Sequence, residues 1–498
     1  MGKKRLIQIH ERDNVAIAVD GVAAGAEAEY EGGCLKARDE IPTDHKIALA
    51  DMDPGAAVIK YGNVIGFTTQ PVKKGGWVHS HNMRTGLEGM QEYTYEPVPA
   101  VAESRDAVRD TFLGYVRKNG EVGTRNEIWV IPTVSCVNHT AQMIAERARA
   151  RYGEPCDGIF AYPHNAGCSQ LGEDHRVTQE ILASIIKHPN AGGVLVVSLG
   201  CENNNLEEFR PILGEVDEER VRFMVAQEEQ DEIEKGVGLI GSLLACARKD
   251  QRTEVPASKL KLGFKCGGSD ALSGITANPL CGQIADLLTG KGGTAILTEV
   301  PEMFGAETIL MNRADSEKTF GKIVDLINDF KRYYMDYGQP IYENPAPGNK
   351  AGGITTLEEK SLGCIQKGGH AQVTDTLRYG QRAQKQGLNL MNGPGNDSVS
   401  ITNLVASGAQ LILFTTGRGN PLGTSVPAVK LASNSSLYER KGHWFDFNAG
   451  TLLDGRTMKE LRDELWELVL DIASGKRMTK NEENGYKEIM IFKNGVLL

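Results

Sequence analysis

The chain has 498 residues, of which 40% are hydrophobic and 24% charged, and its formal net charge is -10. These values are typical of a globular protein with enough apolar residues for two or three domains. The acidic balance, with Lys and Arg scattered, argues against a nucleic-acid partner. No apolar run approaches the roughly 20 residues that a membrane span needs, so we expect no membrane partner either.

The first residues, MGKKRLIQIHERDN, have neither the apolar core nor the cleavage site of a signal peptide, which predicts a cytoplasmic protein. Nine cysteines are spread over the whole length, and in a reducing compartment this spread does not indicate a disulfide framework. Five of them stand beside Gly, Ser or Asn at predicted strand-to-loop junctions: Cys136, Cys168, Cys201, Cys266 and Cys364. Such junctions often carry site residues, although cysteines also fill cores.

Residues 1–95 contain short β-rich pieces divided by Gly and Pro, for example AVIKYGNVIGF (57–67) and the following turn PVKKGG (71–76). No helix of three turns is indicated in this region. A segment rich in Glu, Pro, Ala and Val over 96–110 has the composition of a mobile linker. We therefore predict a small N-terminal β domain that is joined by this linker to the rest of the chain.

Beyond the linker, apolar strands alternate with helices, as where IWVIPTV (128–134) precedes HTAQMIAERARARYG. This alternation predicts an α/β body in which parallel sheets are covered by helices on both faces. A charged stretch divides the body into a first α/β unit over 111–255 and a second over 256–498. The second unit ends in a helix, because Thr457 and Glu460 have the spacing of a capping box.

Two histidines in WVHSHNMRT, His79 and His81, alternate along a predicted extended segment and so project to the same side. Two imidazoles on one face can share a metal ion, with His45 as a third candidate ligand. The alternative is a pair of surface histidines, and a structural, hydrogen-bonded role for His45.

Two loops after strands of the first α/β unit carry chemically active side chains. They are His164, Cys168, Gln170 and His175 in one loop, and Cys201 and Glu202 in the other. Because parallel sheets bind ligands at the carboxyl ends of their strands, the two loops can meet in one site. The alternative is that their Gly and Asn residues serve tight turns and their cysteines fill the core.

The second unit opens with KCGGSDALSGITANP (265–279), a Gly- and Ser-rich loop between a strand and a helix. Backbone N–H groups at the helix start can hold a carboxylate or phosphate, but no dinucleotide or phosphate-loop fingerprint is present. Glu299 and Glu302 follow a buried-looking strand, where carboxylates act as metal ligands or proton carriers.

The motifs KYGNVIGF, HSHNMRT, GTRNEIWVIPTVSCVN, GCSQLGEDH, CGGSDALSGITANP, LTEVPEMFGAE, NPAPGNKAGGITTLEEKSLGC and TTGRGNP together resemble the altronate/galactarate dehydratase family. That family also includes sulfolactate sulfo-lyase. The resemblance spans nearly the whole chain in order. It implies an N-terminal β-clip domain of the antifreeze-like (SAF) type, a catalytic α/β body, and divalent iron or manganese (Fe²⁺ or Mn²⁺) that supports β-elimination of water. The implied substrate is a small sugar acid such as D-altronate, and the implied product is 2-keto-3-deoxy-D-gluconate.

Our mechanistic hypothesis is that His79 and His81 hold the metal together with Glu299 or Glu302, because a metal stabilises the enolate that forms after proton loss. His45 or Lys60 then exchanges protons with the substrate. The substrate itself is expected to contact a set of loop residues, namely Arg84, Arg125, Gly267, Ser269, Asp270, Ser273, Lys350, Asn396 and Arg418.

Three alternatives remain open at this point. An iron–sulfur cluster on Cys168, Cys201, Cys266 and Cys364 can act as the Lewis acid in place of a single ion. The substrate can be galactarate or another aldarate or aldonate, because hydroxyl stereochemistry is read by a few donors in the folded site. The chain can also be a non-catalytic sugar-acid-binding protein. We further expect a homo-oligomer, most simply a two-fold dimer.

Overall fold

The computed structural model describes residues 4–100, 108–153, 156–495 and 497. Part of the predicted linker, residues 101–107, lies outside the described residues. Within the described part of the chain, no helix combines the length and the apolar character that crossing a membrane requires.

The N-terminal region is built from strands, and residues 4–100 contain no helix. Its strands are β1 (Lys4–Ile7), β2 (Val15–Ala18), β3 (Glu27–Tyr30), β4 (Gly33–Lys36), β5 (Lys46–Ala48), β6 (Ala57–Lys60), β7 (Asn63–Thr68), β8 (Trp77–Val78) and β9 (Met83–Arg84). They form a six-stranded sheet in the order β4-β3-β1-β2-β5-β8 and a three-stranded sheet in the order β6-β7-β9. The predicted small β domain is confirmed.

The first α/β unit has a four-stranded parallel sheet in the order β13-β12-β14-β15. Its elements are β10 (Thr111–Val116), β11 (Val122–Gly123), β12 (Glu127–Pro132), α1 (Asn138–Tyr152), β13 (Ile159–Ala161), α2 (Gly172–Ile186), β14 (Ala191–Ser198), α3 (Leu206–Leu213), β15 (Val221–Val225), α4 (Glu232–Ala247) and β16 (Thr253–Pro256). The antiparallel strands β11, β10 and β16 form a separate small sheet. The strands of the parallel sheet are apolar because helices cover them.

The second α/β unit has a seven-stranded parallel sheet in the order β19-β20-β18-β17-β21-β22-β23. Its first elements are β17 (Lys261–Cys266), α5 (Ala277–Gly290), β18 (Thr294–Leu297), α6 (Glu307–Met311), α7 (Glu317–Asp336), α8 (Pro347–Ala351), α9 (Leu357–Cys364), β19 (Val373–Leu377) and β20 (Gly387–Met391). It continues with α10 (Asp397–Ala406), β21 (Leu411–Thr416), β22 (Ala428–Ala432), α11 (Ser435–Arg440), β23 (Phe447–Asn448), α12 (Met458–Ala473) and α13 (Lys480–Glu483). Thr457 and Glu460 form the predicted capping box at the start of α12. The predicted α/β body is therefore confirmed.

Hydrophobic clusters cross the junctions between the three regions. One cluster joins Val58 and Ile65 of the β domain to Leu357 and Leu362 of α9. A second cluster joins apolar residues of the first unit's sheet, such as Trp129, to the second unit. Because apolar area is buried across both junctions, the carboxyl ends of the second unit's strands are held against the β domain.

Candidate active site

The carboxyl ends of the neighbouring strands β17 and β18 bring Lys265, Cys266 and Glu299 together. Glu299 follows β18 in a left-handed backbone conformation, with φ 73°. Its carboxylate pairs with Lys265, accepts a hydrogen bond from the Cys266 backbone N–H at 3.1 Å, and lies 2.8 Å from the Lys367 Nζ. Left-handed backbone costs a non-glycine residue about 1 kcal/mol, so these buried interactions hold Glu299 in place.

Three buried side chains form a candidate metal group: Cys266 at the end of β17, Glu302 after β18, and Cys364 at the end of α9. Their ligand atoms all lie within 4.8 Å of one another. The two Sγ atoms are 3.5 Å apart, and the Cys364 Sγ lies 3.0 Å from Glu302 Oε2. Two sulfurs and one carboxylate oxygen suit iron better than manganese, because manganese prefers ligands that are all oxygen.

Lysines surround this group and compensate its negative charge. Lys360 Nζ lies 2.8 Å from Glu302 Oε1, and Lys367 Nζ lies 2.8 Å from the Cys266 Sγ. Burial alone would raise the pKa of Glu302, but Lys360, Lys265 and Lys367 lower it well below its usual value. Burial opposes the charge of Lys360, yet Glu302 raises the pKa of Lys360 to about 12. The pair is therefore ionised although it is buried.

A cavity of about 600 Å³ opens beside the candidate metal group. Its polar lining includes Cys266, Ser269, Glu302, Asn344, Asn349, Lys350, Lys360, Asn396 and Asp397. Two lining amides are fixed: Asn344 Oδ1 accepts from Lys360 Nζ at 2.9 Å, and Asn349 Nδ2 donates to the Ser269 carbonyl at 2.8 Å. The cavity has the volume and the polar groups to bind a small hydroxylated acid.

A second buried charge group lies where the β domain meets α9. Glu359 accepts from Lys46 Nζ at 2.7 Å and from Lys60 Nζ at 2.8 Å, and all three side chains are at most 1% exposed. Burial would raise the pKa of Glu359, but the two lysines lower it to about 2. Burial lowers the pKa of Lys46 to about 8. Since Glu359 and Lys360 are neighbours in α9, this helix connects the second group to the cavity.

The two histidines of WVHSHNMRT both pack against the Trp77 ring, with ring centroids 5.6 Å (His79) and 4.8 Å (His81) from it. The Asn82 backbone N–H donates to the His79 carbonyl at 3.0 Å and closes a turn, where the sequence predicted an extended segment. His79 is buried with its Nδ1 3.0 Å from the Thr355 hydroxyl, whereas His81 is exposed. Burial, followed by the charge of Lys46, lowers the pKa of His79 to about 3. The two rings therefore differ in burial, although both contact Trp77.

Three other predicted side chains of the β domain and its surroundings have defined partners. His45 Nδ1 accepts from the Trp77 indole at 3.1 Å, so His45 packs beside His79. Lys60 belongs to the Glu359 group. Arg84 is exposed and lies over the Phe67 ring, 6.0 Å from its centroid.

Most of the residues predicted to contact substrate lie around the cavity or directly behind it. Gly267, Ser269, Lys350 and Asn396 line the cavity. Asp270 accepts from the Ser273 hydroxyl at 2.7 Å behind that wall.

Two predicted arginines do not line the cavity. Arg418 is exposed, although its backbone N–H donates to the Gly268 carbonyl at 2.8 Å. The Arg125 guanidinium forms a buried ion pair with Glu482 at 2.7 Å and also donates to the Ile472 carbonyl. Arg125 precedes β12 and therefore stabilises the junction with the C-terminal segment.

The proposed four-cysteine cluster is not assembled. Cys266 and Cys364 are buried in the second unit, whereas Cys168 and Cys201 are exposed in the first. The loop residues of the first unit are used locally: His164 Nε2 lies 2.7 Å from the Pro132 carbonyl. Cys168 and Cys201 follow strands of the first unit, whereas Cys266 ends β17 and Cys364 ends α9 in the second unit. The order of these residues in the chain does not reveal that separation.

Sequence reasoning missed the buried lysines, Lys265, Lys360 and Lys367, and the carboxylates Glu359 and Asp397. Lysine and glutamate are usually solvated, and LEEKSLGCIQK has the composition of an exposed helix. The one available signal was Lys265, which follows the apolar residues Leu262 to Phe264 of its strand and immediately precedes Cys266 and two glycines. A charged residue within a predicted core strand indicates a compensated buried charge.

Three family models match consecutive parts of the chain. They are the altronate/galactarate dehydratase SAF domain over residues 4–86, the D-galactarate dehydratase/altronate hydrolase second domain over 114–248, and the D-galactarate/altronate dehydratase C-terminal region over 257–497.

Curated relatives match over the whole length. The chain is 48% identical to altronate dehydratase of Escherichia coli (strain K12) over 498 residues, covering 99% of both chains. It is 48% identical to altronate dehydratase of Bacillus subtilis (strain 168), covering 99% of this chain and 100% of the relative. It is 33% identical to galactarate dehydratase (L-threo-forming) of Escherichia coli (strain K12), covering 98% and 96%. The protein is thus a member of the altronate/galactarate dehydratase family.

Proposed function

We propose that the protein is a sugar-acid dehydratase that converts D-altronate to 2-keto-3-deoxy-D-gluconate and water. The observation that carries this proposal is the polar cavity walled by the buried Cys266, Glu302 and Lys360. The preference for altronate rests on similarity, since identity is 48% to altronate dehydratases and 33% to a galactarate dehydratase.

Dehydration requires loss of the proton beside the carboxylate and expulsion of the neighbouring hydroxyl. Lys360 is held by Glu302 and Asn344 at the cavity wall, where its ammonium binds the substrate carboxylate and stabilises the negative charge that develops there. Because the ammonium is already oriented by its partners, it needs no reorganisation during the reaction. Asn349 and the half-buried Lys350 bind hydroxyl groups along the same wall.

Asp397 is the proposed proton acceptor. It lines the cavity, lies 2.8 Å from Lys265 Nζ, and accepts from the Asn420 amide at 2.7 Å. These two contacts orient one carboxylate toward the substrate. The proton that Asp397 removes leaves with the expelled hydroxyl as water.

We assign Cys266, Glu302 and Cys364 as the residues that would hold a divalent metal, with Fe²⁺ preferred over Mn²⁺ because of the two sulfurs. Such a metal would supply Lewis-acid stabilisation of substrate oxygens. A ligand role for the pair His79 and His81 has less support, because one ring is engaged by Thr355 and the other is exposed. We instead assign His45, Lys60 and His79 a positioning role at the junction with α9.

The test measures 2-keto acid formation from D-altronate, galactarate and mannonate, each with Fe²⁺, Mn²⁺ or chelator under reducing conditions. Turnover of altronate in the presence of Fe²⁺ is the expected result. If the protein turns over galactarate and not D-altronate, galactarate becomes the assigned substrate. Calorimetric binding of a sugar acid without any 2-keto acid would instead identify a non-catalytic binding protein.

A further inference from the structure

Three cysteines of the first α/β unit stand at one edge of its sheet. Cys136 follows β12, Cys168 follows β13 and Cys201 follows β14, and these three parallel strands are direct neighbours. All three cysteines are exposed. Exposure is unusual because free cysteine is among the most buried residue types. The arrangement therefore calls for an explanation other than core packing.

The three thiols converge. The thiols of Cys168 and Cys201 are both close enough to the Cys136 thiol to interact with it electrostatically. Thiolates gathered in this way repel one another, and a bound cation relieves the repulsion.

The loops that carry the thiols are fixed to one another. Three hydrogen bonds join them: Ser135 N to Ala166 O at 2.9 Å, Asn204 N to Gly167 O at 3.3 Å, and Ser169 N to Asn203 Oδ1 at 2.8 Å. Gly167 has φ 99°, and a Cβ at this position would come within 2.1 Å of the Thr133 carbonyl oxygen. The cysteine-bearing loops are thus preorganised, as the ligand loops of metal sites are.

The nearest carboxylate does not supply a fourth ligand. Glu202 accepts hydrogen bonds from Ser198 Oγ (2.6 Å), Thr133 Oγ1 (2.6 Å), Leu199 N (3.0 Å) and Gly200 N (2.6 Å). Glu202 thus connects Thr133, which follows β12, to Ser198 at the end of β14, and these contacts orient the loops of Cys136 and Cys201. Gln227 Nε2 donates to the Cys201 Sγ at 3.4 Å and holds this thiol in place.

We propose that Cys136, Cys168 and Cys201 bind an iron–sulfur cluster through three thiolates, with one cluster position left open. Among the described residues, only the group of Cys266, Glu302 and Cys364 brings three ligand atoms within 4.8 Å of one another. The three exposed thiols are therefore spread more widely than ligands around one zinc ion, where each Zn–S bond is about 2.3 Å. An iron–sulfur cluster is larger than a single ion, so three thiols at this wider spacing can each bind one of its irons, and thiolates are the usual ligands of such clusters.

The test uses the full-length protein, purified anaerobically and reconstituted with ferrous iron and sulfide. We expect broad visible absorption together with iron and acid-labile sulfide in the wild type. Each of Cys136→Ser, Cys168→Ser and Cys201→Ser is expected to lose the absorption and the sulfide. Cys34→Ser, which changes an exposed cysteine of the β domain, is the matched control and should retain both. Cys364→Ser should also retain the sulfide, which separates this site from the candidate metal group.

A measurement on the wild type avoids any effect of substitution on folding. Alkylation of the three thiols, mapped by mass spectrometry, should be blocked in the reconstituted protein and restored after the cluster is removed by a chelator and the thiols are reduced again. The proposal is overturned if the protein takes up zinc without sulfide, if no acid-labile sulfide binds, or if the triple serine variant binds as much sulfide as the wild type.

Discussion

The two α/β units use the same edge of a parallel sheet in opposite ways. In the second unit, β17 and β18 end in buried charges, and Lys265, Glu299, Glu302 and Lys367 are all at most 4% exposed. In the first unit, the corresponding ends of β12, β13 and β14 carry exposed cysteines. Topology therefore determines where side chains gather, while burial determines which chemistry they can perform.

The difference extends to how each unit tolerates buried polar groups. The second unit holds the lysines Lys265, Lys360 and Lys367 of its site in ion pairs with Glu299 and Glu302, since an unpaired buried charge is costly. The first unit buries histidines that stay neutral: burial, followed by the charge of Arg382, lowers the pKa of His188 to about 3. Four changes test this contrast.

Loss of the candidate metal group should have the largest effect. Replacing Glu302 by Gln removes one charged ligand and the partner of Lys360, so we expect activity to fall on the order of 10³-fold. Steady-state turnover of D-altronate is the measurement, with the exposed Glu317→Gln as the control. Wild-type turnover in Glu302→Gln would show that the buried charges are structural only.

The junction group tests whether ion pairing also anchors the β domain. Glu359→Gln leaves Lys46 and Lys60 buried without a carboxylate, and breaking such a group costs about 3–5 kcal/mol of unfolding free energy. Asp51→Asn, which breaks the exposed Lys73 pair, should have a much smaller effect, because water screens exposed charges. Equal losses in chemical denaturation would contradict the distinction between buried and exposed pairs.

The neutral histidine of the first unit predicts a pH dependence. The unfolded state binds a proton below the ordinary pKa of 6.5, whereas folded His188 does so only near 3, so its stabilising contribution is lost as pH falls between these values. The decline of unfolding free energy from pH 7 to pH 5 should be smaller by about 2 kcal/mol in His188→Gln. The exposed His139→Gln should keep the wild-type decline.

A cavity residue outside the buried group should have the smallest effect. Lys350 is half-buried and lines the cavity, so Lys350→Gln removes one substrate contact. We expect KM for D-altronate to rise about tenfold with little change in kcat, because one contact contributes about 1.4 kcal/mol. A fall in kcat with unchanged KM would place Lys350 among the groups that act on the transition state.

The sequence by itself determined the local structure of this protein. Alternating strands and helices predicted the α/β body, Gly- and Pro-divided strands predicted the β domain, and Thr457 with Glu460 predicted the start of α12. These features arise from interactions between residues close in the chain, so a pattern of nearby residue types is sufficient to indicate them.

Only the tertiary structure decided which side chains form the site. Cys266 and Cys364 are 98 residues apart in the chain and their sulfurs are 3.5 Å apart in space, whereas His79 and His81 are separated by one residue and differ in burial. Cys266 and Glu302 could be chosen from the sequence because they follow strands, but Lys360 and Lys367 could not. Whether a lysine is solvated or paired in the interior depends on groups brought by other elements, and no local pattern contains that information.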